Sequence, residues 1–277
     1  SNGDPHLQFA DGGSADFRGS HNTIYNMLTS DGISVNALFR EQDFFLTAAG
    51  IEFARPGSMQ GDKFLVHGTF IFETFTTVRT SAGRLFHLRT EATPTCGANV
   101  AIMENNVPVS KLGKNEERVI DDVMLTTKDG RVTISTPKWA VVCTVVCNKE
   151  AHFLNLSFKH HAPGIAQSAP HGIIGQSYDY DGIAVDGAKD VYNTAAGGEF
   201  TTVAQAEGAI EGIHSDYVME SPFATAYKYS RFNNKAAAVR DIRKLAGTKK
   251  RAVGREHRKL AFLLQRMAGK ENIVGAE

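Results

Sequence analysis

The sequence predicts a mainly β protein: an antiparallel β-sandwich over most of its length, followed by a basic, α-helical C-terminal extension. Three observations point there. Short runs with an apolar/polar period of two fill residues 1–160, glycine, asparagine and aspartate turns punctuate them, and the period changes to that of a helix only after residue 230.

The runs follow in order. Residues 33–39 (ISVNALF), 63–67 (KFLVH) and 70–75 (FIFETF) alternate, and 84–89 (RLFHLR), 119–127, 131–135 (RVTIS) and 152–158 (HFLNLSF) continue the series. The run Trp139–Cys147, the longest apolar stretch, is short and β-branched, so it is expected to be a buried strand. Turn signals separate the runs at 30–32, 82–83, 105–106 and 128–130. Lys128-Asp129-Gly130 is the sharpest of these, because Asp-Gly supplies the positive φ values of a two-residue hairpin turn. Many short strands of this kind indicate a sandwich. Residues 162–200 are rich in Gly, Pro and Asp and are expected to form an ordered loop region. Asn233 or Asn234 can cap a helix carrying Val239, Ile242, Leu245 and Ala246 and ending at Gly247. Thr248 can cap a second, with Val253, Leu260, Leu264 and Met267 on one face and an end near Gly269. The expected organisation is a sandwich over 1–190, an ordered connecting segment packed on it over 191–229, and a basic two-helix extension over 230–277.

The chain has 277 residues with 42% hydrophobic and 22% charged residues, which excludes collagen-like, low-complexity and core-less chains. No apolar run approaches the roughly 18 residues that a membrane-spanning helix needs, so no transmembrane segment is expected. The net charge is formally zero, yet it is divided unevenly. From Lys228 onward there are 14 basic and 4 acidic residues, and the preceding 227 carry 16 basic and 26 acidic. A +10 tail faces a −10 body. An acidic partner for the tail is therefore present in the chain itself, and nucleic acid is not the expected partner.

Three cysteines, Cys96, Cys143 and Cys147, do not make a zinc set. Cys143 and Cys147 lie four apart in a β run, so their Cα atoms would be about 13 Å apart, beyond bridging distance. One disulfide is expected, from Cys96 to Cys143 or Cys147. No nucleophile elbow, P-loop or dinucleotide fingerprint is present, and the histidines, His6, His160, His161 and His171 among them, show no metal-ligand spacing, so enzymatic turnover is not expected. Asp4-Pro5 is an acid-labile pair with His6 beside it, where slow self-cleavage is chemically open, although a turn-forming Asp-Pro is the simpler reading. Asn155-Leu156-Ser157 is an N-glycosylation sequon.

Gly3-Asp4-Pro5-His6, Phe9-Ala10-Asp11-Gly12, Asp16-Phe17-Arg18-Gly19 and Tyr25-Asn26-Met27-Leu28 together resemble the opening of a von Willebrand factor type D domain. His171-Gly172-Ile173-Ile174-Gly175-Gln176, followed by Asp179-Tyr180-Asp181-Gly182, is similar to that family's closing calcium loop. The resemblance spans residues 3 to about 190. It departs from the family where the first strand lacks its cysteine and where Ile174 stands in place of the closing one, which makes this a cysteine-poor example.

The resemblance implies a sandwich of that character with a structural Ca²⁺ ion. The implied donors are Asp11, Gln176, Asp179 and Asp181, and Asp186 stands close enough in sequence to join them. Calcium takes six to eight hard oxygen ligands, which a D-x-D-G turn can begin to supply. The function expected from all this is a secreted, extracellular structural protein, a subunit that assembles head-to-tail with itself into a filament, matrix or surface coat. The alternative is an adhesion module whose basic tail engages acidic polysaccharide or membrane.

Overall fold

The computed structural model describes residues 6–47, 50–53, 64–147, 151–161, 169–179, 181–191 and 198–233. The two helices expected after residue 233 and the Asp4-Pro5 pair lie outside them. Among the described residues no helix is long and apolar enough to cross a membrane.

Among the described residues the chain is mainly antiparallel β, as the alternation predicts, but the main strands do not divide into the two facing sheets of a sandwich. A short hairpin, β1 (His6–Gln8) and β2 (Ser14–Asp16), stands apart. Thirteen further strands make one continuous, nearly closed, barrel-like sheet. They are β3 (Thr23–Ser30), β4 (Ile33–Thr47), β5 (Gly50–Phe53), β6 (Phe64–Arg79), β7 (Leu85–Ala92), β8 (Ala98–Glu104), β9 (Val107–Leu112), β10 (Glu117–Ile120), β11 (Val123–Lys128), β12 (Arg131–Ser135), β13 (Trp139–Cys147), β14 (His152–His160) and β15 (Gly198–Thr201). The sandwich expectation is corrected by the length of β6, whose 16 residues pair with β4 along nearly their whole span. On its other side β6 meets β15, then β14 at Leu154↔Ile71, then β7. One strand thus belongs to both walls, and the sheet turns a corner instead of breaking.

The turns behave as their residues dictate. Asp129 and Gly130 take φ values of 49° and 72°, the two positive φ angles of a type I′ turn, and join β11 to β12 at Lys128↔Arg131. Asn105 and Asn106 do the same between β8 and β9 (φ 49° and 67°).

Inside the barrel one buried core gathers a fully buried Trp139 with Val35, Leu88, Ile102, Val132, Ile134 and Val141 among its members. Burying side chains of this size stabilises by roughly 1.5–3 kcal/mol each before entropy is counted. A second, smaller core under β15 gathers Phe44, Phe64, Val66, Phe70, Ala151 and Phe153. The segment after β15 returns across the body through single β-bridges, Phe17↔Gln205 and Tyr25↔Val218.

His67 of β6 clamps this smaller core. Its Nδ1 lies 2.8 Å from Asp43 of β4 and its Nε2 lies 2.6 Å from Glu199 of β15. Burial lowers the imidazole pKa, but hydrogen bonds and charge from Asp43 and Glu199 outweigh it, and the net direction is upward from 6.5. A group whose pKa is raised on folding stabilises the fold fully below its unfolded pKa, and that contribution is lost as pH rises through the folded value. Protection of the β15 amides from hydrogen exchange should therefore fall as pH is raised above about 6.5, and His67→Gln should remove this dependence. A β15 protection profile identical in the two proteins across that range would refute the clamp.

Candidate metal centre

The site brings the turn after β1 together with the loop that carries Asp179 and Asp181, far apart in sequence. After β1 the backbone makes a tight turn over Ala10–Gly12, in which Asp11 adopts φ 63°, ψ 13° and Gly12 φ 87°. Aspartate is one of the few side chains that tolerates this left-handed region. The Phe9 N–H donates to the Gly13 carbonyl (2.8 Å) and closes the turn. The Ala10 N–H then donates to Ser177 Oγ (3.0 Å), whose own hydroxyl donates to the Ile174 carbonyl (2.8 Å). Ser177 belongs to a single 3₁₀ turn, Gly175–Ser177, and so holds the Asp11 turn beside the aspartates that follow it.

Those aspartates are set by a second tight turn. The Asp181 carboxylate accepts the Ile183 N–H (2.9 Å) across Gly182, which sits at φ 67°. The chain then runs alongside β2: Gly187 donates to the Ser14 carbonyl and Asp16 to the Ala188 carbonyl, both at 2.9 Å. The approach is too close for any side chain at Gly13, where an added Cβ would lie 2.0 Å from the Val185 carbonyl oxygen.

The result is a group of three carboxylates, Asp11, Asp179 and Asp181, with one oxygen from each within 4.8 Å of the others. Two ligands on opposite sides of a Ca²⁺ ion stand about 4.6–5.2 Å apart, so this spacing suits donors to a single ion. An all-oxygen, all-anionic set suits a hard cation such as Ca²⁺ and not zinc, which prefers nitrogen and sulfur. Where the ion binds, Asp11, Asp179 and Asp181 would hold it, and its charge would offset the mutual repulsion of the three carboxylates.

Two of the sequence-predicted ligands have other partners in the structure. Gln176 is buried and spends its amide elsewhere. Its Nε2 donates to the Gly172 carbonyl (2.9 Å) and Tyr217 Oη (3.0 Å), and its Oε1 accepts the Glu211 N–H (2.9 Å). Tyr217 Oη in turn donates to the Glu211 carbonyl (2.8 Å). Asp186 lies outside the three-carboxylate group, and one of its oxygens accepts both the N–H and the hydroxyl of Ser14 (3.0 and 3.2 Å). It fastens the hairpin and is not a donor of the group. Gln176→Ala should cost about 1–3 kcal/mol, because it removes a buried amide and leaves the part-buried Glu211 N–H without its partner, yet leave any calcium-induced rise in melting temperature intact. Loss of that rise in this variant would restore Gln176 to the ligand set.

The remaining predicted residues fall as follows. Cys96 and Cys147 stand within bonding distance (S–S 2.08 Å, Cα–Cα 5.3 Å), which selects Cys147 from the two alternatives. Cys143 is the free thiol, fully buried 3.3 Å from the Thr74 hydroxyl, and burial pushes its pKa up to about 11. Asn155 and Ser157 are exposed on β14, while Phe153 and Leu154 face inward. His6 pairs with the buried carboxylate of Asp16. His171 stacks on Tyr229 (4.6 Å between ring centres) with its Nε2 3.1 Å from Glu211. His160 packs on Trp139, so these three histidines do not converge on a common point. Ser177 and Gly13, which position the centre, went unread in the sequence, and only the adjacency of Ser177 to the D-x-D-G turn could have signalled one of them.

Compared with known proteins, the chain matches no protein-family model and no curated protein sequence.

Proposed function

We propose that this chain is an extracellular structural module of von Willebrand type D character, a subunit that self-assembles into a filament, matrix or surface coat. A calcium ion bound by Asp11, Asp179 and Asp181 fastens its N-terminal turn to its closing loop. The observation that carries this reading is the convergence of Asp11 with Asp179 and Asp181 from segments far apart in sequence. Calcium here is a structural fastener, held by carboxylates of two acidic turns that are distant in sequence. The Cys96–Cys147 bridge and the exposed Asn155 sequon support an oxidising, extracellular setting. The division of charge between body and tail supports association of like chains.

Light scattering of the full chain over a wide concentration range, in calcium and in chelator, tests the assembly. Ordered growth with concentration in calcium is the expected result. A strict monomer at high concentration in calcium would refute self-assembly.

A further inference from the structure

The body carries its acidity unevenly. Between residues 179 and 220 there are nine acidic side chains and a single lysine, Lys189. Three of the nine already have cationic or histidine partners on the body: Glu199 with His67, Glu211 with His171 and Asp216 with Lys228. Asp179 and Asp181 belong to the metal group. That leaves Asp186, Asp190, Glu207 and Glu220 without an ion pair recorded among the described residues.

Asp186, Asp190 and Glu207 sit on two chain segments that lie together. Ala188 donates to the Glu207 carbonyl (2.8 Å), and Val203 donates to the Asp190 carboxylate (2.9 Å). On the same two segments stand the two most exposed large apolar side chains among the described residues, Val191 at 81% and Val203 at 68%. Soluble proteins keep scattered apolar residues at their surfaces, but a pair set in an acidic field has the composition of a docking surface. Its partner should be basic and carry an apolar stripe.

The C-terminal segment has that composition. Beyond the described body it holds most of the chain's 14 late basic residues, with Val239, Ile242 and Leu245, then Leu260, Leu264 and Met267, recurring every three or four positions. We propose that the strap formed by 186–191 and 203–207 is the seat for the basic C-terminal segment of a second copy of this chain. This rests on the self-assembly reading above and assigns its two contacting surfaces. Such a contact joins different surfaces of identical subunits, so it is heterologous and propagates into a ring or filament. Opposite charge guides encounter and register, and the apolar residues hold the complex.

Two full-length variants test it. Val191→Lys/Val203→Lys spoils the seat at positions too exposed to disturb the fold, and Leu260→Glu/Leu264→Glu spoils the segment. Each alone should assemble about tenfold or more weakly than wild type, with its melting curve in calcium unchanged. Mixed in equal amounts, the two should form a one-to-one complex that grows no further, because only one productive seat and one productive segment remain. A mixture that stays monomeric would overturn the proposal in favour of a segment folded on its own body. If the wild type assembles and the Val191→Lys/Val203→Lys variant assembles equally well, the seat is wrong while self-assembly stands. If the wild type is itself monomeric, both readings fall.

Discussion

Reduction of the Cys96–Cys147 bridge should lower the stability of the body by about 4 kcal/mol. The bridge spans 51 residues, from the turn before β8 to the end of β13. Closing a loop of that size removes entropy from the unfolded chain worth about 4 kcal/mol, and measured losses of native bridges usually fall between about 2 and 5. For a body of this length that corresponds to a melting temperature lower by roughly 10 °C. Cys96→Ala in urea should show the same loss, whereas Cys143→Ala should leave the bridge intact and cost only its cavity. Thiol counting on denatured, unreduced protein should find one thiol per chain. Three thiols, or equal stability with and without reductant, would show that the bridge does not form in the native protein.

Asp179→Ala should abolish the stabilisation that calcium confers. A ligand that binds only the folded state contributes about 2.7 kcal/mol at a hundredfold excess over its Kd, or roughly 5–10 °C in melting temperature. The wild type should lose that increment in chelator, and Asp179→Ala should sit at the chelated level in both conditions. Asp186→Ala provides the contrast. It loses hydrogen bonds to Ser14 and some stability, but it lies outside the carboxylate group and should keep its full response to calcium. Equal calcium responses in Asp179→Ala and wild type would rule out the group as the binding site.

Alternation told which residues face inward far better than it told which strands meet. Residues 63–67 and 70–75 read as two strands because Gly68 and Thr69 interrupt the pattern. In the fold the pairing with β4 runs straight through them, Gly68↔Gln42 and Thr69↔Glu41, and this continuity merges the two walls into one sheet. The reverse error falls at 119–127, where the chain breaks at Asp121 (φ 53°) into β10 and β11, and the Asp-Asp pair was the available signal. Strands β8 and β9 carry too little contrast to read: Val107 and Val109 are exposed, and Pro108 lies in β9. At the site, no local pattern connects Asp11 to Asp179 and Asp181; only the paired terminal motifs did so. The hydrogen bonds of Gln176 were not legible, because an amide oxygen suits a metal and a peptide N–H equally well and its partners Glu211 and Tyr217 lie in a segment with no motif. The cysteines were narrowed to two pairings by distance along one strand, and the choice fell to Cys147 because Cys143 is enclosed in the barrel against Thr74.

Calcium titrated into the chelator-stripped, disulfide-intact full chain and followed by calorimetry tests whether the three carboxylates hold an ion. Saturable binding of about one ion per chain through a single class of carboxylate site is expected, accompanied by a melting temperature that climbs with calcium concentration. No binding heat, together with superimposable melting curves in millimolar calcium and in excess chelator, would contradict it.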